Sequence, residues 1–283
     1  MKTFKVVLII TALSIIINGC KNDDLTVNNN QSPPDTAAFI FPFDIGNYWN
    51  YHTISTVTDI RPDSIAAYFS EYPLYGSGNM RIVKDTLMNG ITARQFADSY
   101  NQDSSTYTSK IYYINSDTAL IQIAYSLQSS SGIFPRSQKR IFIRIGEKNF
   151  SSLTELIRFS KLNPMDNISD TLIYENPAPE AMRYPVKTDY QWVYRYFGQS
   201  ILTKKYLNFE YVTVGSNIVS SIKTEFKWST IDYLESYTYY SKFGKLRDYL
   251  FLNDVMVSDE FGNILGTIDI KDITNVTSYF VQE

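Results

Sequence analysis

The chain is poor in the residues that most catalytic and metal sites need. Its 283 residues include one cysteine and one histidine, Cys20 and His52. A single cysteine excludes an internal disulfide framework and a cysteine-rich metal site. A single histidine with no nucleophile motif beside it gives no basis for a catalytic triad or a histidine-based zinc site. We therefore expect no metal, no cofactor and no triad chemistry.

Charge is also scarce, and neither sign dominates. Charged residues make up 19% of the chain, with 26 basic and 29 acidic side chains and a formal net charge of −3. A nucleic-acid-binding protein normally carries a basic excess or stripe, so we expect no nucleic-acid partner. Hydrophobic residues reach 44%, which is enough for a substantial core.

The apolar runs of the sequence are short, and the longest of them lies near the N-terminus. Residues 6–17 form an apolar stretch of about a dozen residues that follows Lys2 and Lys5. A membrane-spanning helix needs about 20 apolar residues, so this stretch is too short to span a bilayer. The pattern predicts a cleaved signal peptide over residues 1–19.

The end of this segment resembles a lipobox. The sequence Ile17-Asn18-Gly19-Cys20 is similar to the lipobox of bacterial lipoproteins, and this resemblance implies that Cys20 is acylated and becomes the first mature residue. The alternative is an ordinary secretory signal that leaves Cys20 as a buried or free thiol. Acyl chains on Cys20 would hold the protein on a membrane, because each buried CH₂ group is worth about 0.8 kcal/mol.

The residues after Cys20 indicate a localisation signal followed by a flexible tether. Lys21-Asn22-Asp23-Asp24 resembles the export tag of surface-exposed lipoproteins in Bacteroidota. Residues 20–38 are polar and lack periodicity, which is typical of a flexible linker. These resemblances imply an outer-membrane lipid anchor, with the protein facing either the periplasm or the cell surface.

One motif occurs twice in the rest of the chain. In each copy a Trp follows a Pro by seven residues and a Tyr follows the Trp by two; the residues are Pro42, Trp49 and Tyr51, and Pro185, Trp192 and Tyr194. A tyrosine pair follows each copy, at 112–113 and at 239–240. The repetition predicts two related units, at 39–162 and 163–283. We interpret the six motif residues as architectural.

The local patterns predict mainly antiparallel β structure. Trp49 and Tyr51 alternate with polar residues, as on one face of a strand, and place His52 on the opposite face. Asn89-Gly90 between two strand-like runs predicts a type I′ hairpin. Little helix is expected, and the short segment 152–157 fits a helix or a strand. The fold class is curved antiparallel sheets in two related units, either an open half-barrel resembling the lipoprotein carriers LolA and LolB or a β-sandwich.

Aromatic residues, at 15% of the chain, are the best candidates for ligand contact. Residues 61–80 read as an irregular loop, and its aromatic content suggests packing across the sheet or part of a binding surface. Trp192, Tyr194 and Tyr196 are expected to share one strand face. The candidate ligand-contacting aromatics are Tyr68, Tyr72, Tyr75, Tyr196 and Tyr237. The simpler interpretation of the aromatics is core packing and cross-strand pairing.

The entry motif, placed just after a lipoprotein tether, looks like that of many uncharacterised secreted or lipidated proteins of Bacteroidota. This resemblance implies an extracytoplasmic all-β protein and supplies no catalytic residue. The favoured function is non-enzymatic: binding of a glycan, lipid or protein ligand, or a structural role. The alternative is a carbohydrate-active enzyme or a glycan-binding surface lipoprotein, because two acids can meet in a cleft without a sequence motif.

Overall fold

The computed structural model describes residues 39–102, 105–129, 141–145, 148–151, 155–156 and 172–282. The predicted signal peptide at 1–19, the acylation site Cys20 and the tether at 20–38 lie outside these residues. So does most of the candidate helix at 152–157, of which residues 155 and 156 are described and helical. No helix in the described part of the chain has both the length and the apolar character needed to cross a bilayer.

The described residues form fifteen strands and one 3₁₀ helix. The helix covers Asp63–Phe69. The first nine strands are β1 Tyr48–Arg61, β2 Leu74–Met88, β3 Ile91–Gln102, β4 Ser105–Asn115, β5 Ala119–Ser129, β6 Ile141–Ile145, β7 Lys148–Phe150, β8 Ile173–Tyr174 and β9 Glu180–Arg183. The other six are β10 Gln191–Phe197, β11 Ser200–Val214, β12 Asn217–Trp228, β13 Leu234–Ser241, β14 Gly244–Asp259 and β15 Ile264–Phe280.

All the strands belong to one large, open, curved antiparallel sheet, which confirms the predicted fold class. The order along the sheet is β10-β11-β12-β13-β14-β15-β1-β2-β3-β4-β5-β8, with β9 also on β5 and β6 on β14. The last strand therefore lies beside the first. We call β1–β5 the first meander and β10–β14 the second meander; β15 joins them. The division into units at 162/163 stays a prediction.

Local sequence accounts for several elements. In β1 the residues from Trp49 to Ser55 alternate between buried and exposed, and His52 lies on the exposed face as expected. Asn89 and Gly90 both have positive φ, as a type I′ turn requires, and they join β2 to β3. The hairpin prediction is confirmed.

The prediction of an irregular loop at 61–80 is wrong in part. The 3₁₀ helix occupies its first half, and β2 already begins at Leu74. Gly76 and Gly78 are part of this strand, and both lie against the Tyr100 side chain. A Cβ on Gly76 would approach the Tyr100 hydroxyl to 2.7 Å, so a larger residue would not fit there. The packing role of the segment is confirmed, since Ile65 and Phe69 are buried.

The described residues form two large apolar clusters and a small third one around Met88, Ala93, Tyr112 and Ala124. The first cluster contains Trp49, Tyr51, Phe96, Tyr206 and other buried residues of both meanders. The second cluster is built on β14 and β15 and includes the buried residues of the 3₁₀ helix. Each cluster thus joins residues that are distant in sequence.

The two meanders correspond in more than their entry motifs. Each tyrosine pair lies on the fourth strand of its meander, Tyr112-Tyr113 on β4 and Tyr239-Tyr240 on β13. Each pair also coincides with a register shift against the following strand. These correspondences favour an internal duplication, which stays a prediction.

Candidate functional site

A cavity of about 250 Å³ lies between the two meanders. Its wall includes members of the first cluster together with Tyr194 and Phe226, which pack against the second. Most of the wall is apolar or aromatic, but eleven of its 26 described residues are polar or charged. The tyrosines that line it are Tyr51, Tyr100, Tyr113, Tyr125, Tyr194, Tyr240 and Tyr249. The charged side chains that line it are Asp98, Lys204, Lys245 and Asp248.

The repeated motif supports one wall in each meander. Trp49 is fully buried and its indole Nε1 donates to the Phe243 carbonyl at 2.6 Å. Trp192 is also buried, and its Nε1 donates to the Glu180 carbonyl at 2.9 Å. In both copies the Trp ties its strand to a distant backbone segment. The paired tyrosines, Tyr51 and Tyr194, both line the cavity.

A β-bulge in β10 changes which side chains face inward. The register against β11 shifts between Val193 and Arg195. Arg195 is consequently buried, whereas Tyr196 is 62% exposed. The prediction that Tyr196 shares a face with Trp192 is therefore wrong, because the extra residue reverses the alternation beyond Tyr194.

Arg195 of β10 forms an ion pair with Glu175, the residue that follows β8. Its Nε lies 2.7 Å from Glu175 Oε1, and its Nη2 donates to Oε2 at 2.8 Å. The Gln122 amide of β5 donates to the same carboxylate at 2.6 Å. Burial raises the pKa of the Glu175 carboxyl, and the neighbouring guanidinium offsets part of that rise. The buried pair connects two strands that share no backbone ladder.

A second ion pair lies on the β14 side of the cavity. Lys245 Nζ is 2.8 Å from Asp248 Oδ2, and the Thr238 hydroxyl donates to Oδ1 at 2.7 Å. Burial opposes the charge of Lys245, but Asp248, Tyr51 and Asp98 outweigh it and raise its pKa. Asp98 on β3 therefore acts electrostatically on the same lysine from the opposite meander.

Lys204 on β11 is the most deeply buried charged side chain of the wall. It is 2% exposed, and its Nζ donates to the Ala181 carbonyl at 2.7 Å. The amine lies 3.9 Å from the centre of the Tyr194 ring and 4.4 Å from that of Phe226. Burial lowers the pKa of Lys204 well below the usual lysine value, and the nearby Arg195 lowers it further.

The short strand β9 connects the two ends of the sheet. Its backbone pairs with β5, while side chains of the second meander bond to it from the other side. The Tyr206 hydroxyl accepts from the Arg183 amide at 3.0 Å and donates to the Arg183 carbonyl at 2.8 Å. Together with Trp192 and Lys204, this tyrosine fixes β9 across the gap between β5 and β10.

None of the five tyrosines predicted to contact a ligand lines this cavity. Tyr68 and Tyr72 pack against the second cluster. Tyr75 is 59% exposed and stacks on His52, and Tyr196 is exposed as described. Tyr237 packs against the first cluster, with Lys223 Nζ 4.1 Å from its ring centre. Their role as ligand contacts stays a prediction for the surface, separate from the cavity.

Sequence reasoning missed the charged groups of the wall. A signal for Lys204 was present, because it alternates with Leu202 and Tyr206 on an otherwise apolar strand face. No comparable signal exists for Arg195, since its inward orientation depends on the bulge. Asp98 and Asp248 meet at one cavity through pairing of distant strands.

No protein-family model matches the chain, and no curated protein matches it. One solved structure is similar: a "putative exported protein with YmcC-like fold" from Bacteroides fragilis NCTC 9343. The identity is 11% and the TM-score 0.36, over 86% of this chain and 100% of the other.

Proposed function

We propose that the protein is a lipid-anchored envelope protein that binds a small amphipathic ligand in the cavity between its meanders. The observation that supports binding is the cavity itself, with largely apolar and aromatic walls and several oriented polar groups. This combination is typical of ligand sites.

The anchor and the location are supported by the sequence. The lipobox-like segment ends at Cys20, and the tether at 20–38 separates it from the first described strand. In this proposal the protein is held at the outer membrane by acyl chains on Cys20, facing the periplasm or the cell surface. Cys20→Ala should move the protein from the membrane fraction to the soluble fraction; if it stays with the membrane, the lipid anchor is refuted.

Ligand binding is tested with the Cys20→Ala chain and a panel of small amphiphiles and oligosaccharides in a thermal-shift screen. Ser109→Trp fills the cavity from β4, because Ser109 is buried and lines it. Thr108→Trp is the matched control, since the adjacent Thr108 is exposed. A cavity ligand should stabilise the parent chain and the control but not Ser109→Trp. If no compound stabilises the parent, or all three proteins respond equally, the proposal fails.

A second candidate is glycan binding or glycoside hydrolysis, and one observation favours it. Asp98 and Asp248 both line the cavity beside several tyrosine rings, and paired carboxylates perform most glycoside hydrolysis. One of the two must act as a protonated acid. Asp248 accepts from Lys245 and Thr238, which favours its ionised form. We therefore place binding first; hydrolysis of an oligosaccharide that is lost in Asp98→Asn would reverse this order.

A further inference from the structure

Lys204 differs from the other buried cations around the cavity in having no carboxylate partner. Arg195 is paired with Glu175, and Lys245 is paired with Asp248, at distances of 2.7 and 2.8 Å. None of the ion pairs within the described ranges includes Lys204. Its only hydrogen bond there is to the Ala181 carbonyl.

An unpaired lysine in this position is costly. Removing an ammonium group from water costs several kcal/mol unless a counter-charge and hydrogen bonds replace the solvent. The carbonyl of Ala181 takes one N–H, and the faces of Tyr194 and Phe226 give the cation partial compensation. The charged form of the amine therefore lacks a full counter-charge, and burial favours the neutral form.

The surroundings of Lys204 do not supply that charge. Titratable groups that act on it are Arg195 of β10, and Lys245 and Asp248 of β14. Two of these three are cations, and Asp248 is already bound to Lys245. Among the described residues no further acid acts on the amine, so we look to the cavity for a negative group.

We propose that the ligand of the cavity carries a carboxylate, which binds Lys204, on a compact apolar body that packs against the tyrosine rings. This inference rests on the proposed function. A cavity of about 150 Å³ already holds benzene, so the space of about 250 Å³ fits one ring with a short chain.

A second residue of the cavity wall carries an unsatisfied polar group. Tyr125 is 3% exposed and lines the cavity, and its hydroxyl has no hydrogen-bond partner among the described residues. Buried hydroxyl groups in native proteins are normally bonded. A polar atom of a bound ligand is one partner that a small shift of this side chain would allow.

The test compares two nearly isosteric probes, 4-phenylbutyrate and its neutral amide 4-phenylbutanamide, by isothermal titration calorimetry on the Cys20→Ala chain. The parent should bind the acid at least tenfold more tightly than the amide. Lys204→Met should weaken the acid at least tenfold and change the amide less than twofold. Lys205→Met is the control, because Lys205 follows on the same strand but pairs with Asp189 on the other face; it should leave both affinities unchanged.

The number of protons taken up on binding shows whether Lys204 itself binds the carboxylate or only supports the structure of the cavity. If Lys204 is neutral in the empty cavity, binding of the acid should take up as much as one proton, seen as a dependence of the measured heat on the ionisation enthalpy of the buffer. Lys204→Met should abolish this uptake. Lys204→Gln, which keeps a donor for Ala181, replaces Lys204→Met if the latter does not fold.

The outcomes distinguish the two proposals. Equal affinity for acid and amide in the parent, or an equal loss of both in the Lys204 variant, overturns the carboxylate inference and leaves the cavity as a binding site. The carboxylate inference is also overturned, and the binding site kept, if only neutral compounds bind and Ser109→Trp blocks that binding. If no compound shows binding that Ser109→Trp blocks, the proposed function itself is refuted.

Discussion

At the residue scale, a few close contacts between residues far apart in the sequence hold strands of the sheet together. Gly244, with φ of +102°, begins β14 directly under the Trp49 ring. A Cβ at this position would lie 2.5 Å from Trp49 Nε1. The same indole donates to the preceding carbonyl, of Phe243, so neither partner can move away without losing that bond.

Gly244→Ala should therefore destabilise the protein more than a glycine substitution elsewhere. Gly262 is the matched control: it also has positive φ, of +84°, but a Cβ there meets nothing within 4 Å. Gly262→Ala should cost about 1–2 kcal/mol for the left-handed backbone. Gly244→Ala should cost about 1–3 kcal/mol more through overpacking. Urea unfolding of both variants checks this, and equal costs would contradict it.

Lys204 should also leave a signature in the pH dependence of stability. Its folded pKa is lowered by burial, whereas the unfolded chain keeps the usual value of 10.5. Between these two values the unfolded state holds the extra proton, so the free energy of unfolding rises with pH, by up to about 1.4 kcal/mol per pH unit. Lys204→Met should remove this rise, and Lys205→Met should keep it. Unfolding curves from pH 6 to pH 10 measure the difference; parallel curves for all three proteins would count against it.

At the element scale, the short strand β9 connects the first meander to the second; we call this connection the β9 clasp. The strand extends β5 through backbone pairing and receives the side chains of Trp192, Lys204 and Tyr206 from the second meander. Four residues thus connect two strands that would otherwise be separate edges. One residue of β9, Ala181, is also part of the cavity wall.

Tyr206→Phe should loosen this clasp without unfolding the sheet. The change removes both bonds to Arg183 and leaves its amide and carbonyl without their partner, at a cost of about 1–3 kcal/mol for each buried group. The Arg183 amide should exchange with deuterium faster, while amides of β1 and β15 keep their rates. Tyr196→Phe, on an exposed side chain, is the control. Unchanged exchange at Arg183 in Tyr206→Phe would show that β9 is held by its pairing with β5 alone.

At the scale of the whole molecule, β15 unites the two meanders. It pairs with β14 on one side and with β1 on the other, so the C-terminal strand completes the environment of the N-terminal one. Within this pairing, Asp272 is fully buried and accepts from the Ser55 hydroxyl at 2.5 Å. The stability of the first meander should thus depend on the end of the chain.

A chain that ends at Phe261 should lose its cooperative fold throughout. The truncation removes β15 and leaves β1 and β14 without their shared neighbour. A chain that ends at Val281 is the control, since the described hydrogen bonds that it loses are those of Gln282 with Asn47 and Ile45. Circular dichroism and tryptophan fluorescence should show a native control and an unfolded truncation. A truncated chain that keeps a folded first meander would support the two-unit division at 162/163.

Most of the local structure follows from short-range chemistry. Alternation places Trp49 and Tyr51 inward and His52 outward, and Asn89-Gly90 needs only its own backbone preference to form the hairpin. Asn253-Asp254 has the composition of a turn, yet β14 runs through it without a break. A bulge at Asp254, with φ of +54°, lets the strand continue past the residues that look like a break.

By itself, the sequence determined the β class, the hairpins, the inward face of β1 and the repeated entry motif, because each depends on neighbours within a few residues. Only the tertiary structure decided that β15 lies beside β1, that a bulge turns Arg195 inward, and that Lys204 and the acids Asp98 and Asp248 line one cavity. These features depend on the pairing and register of strands far apart in the chain. One residue of shift reverses every side chain that follows, and no local pattern records it.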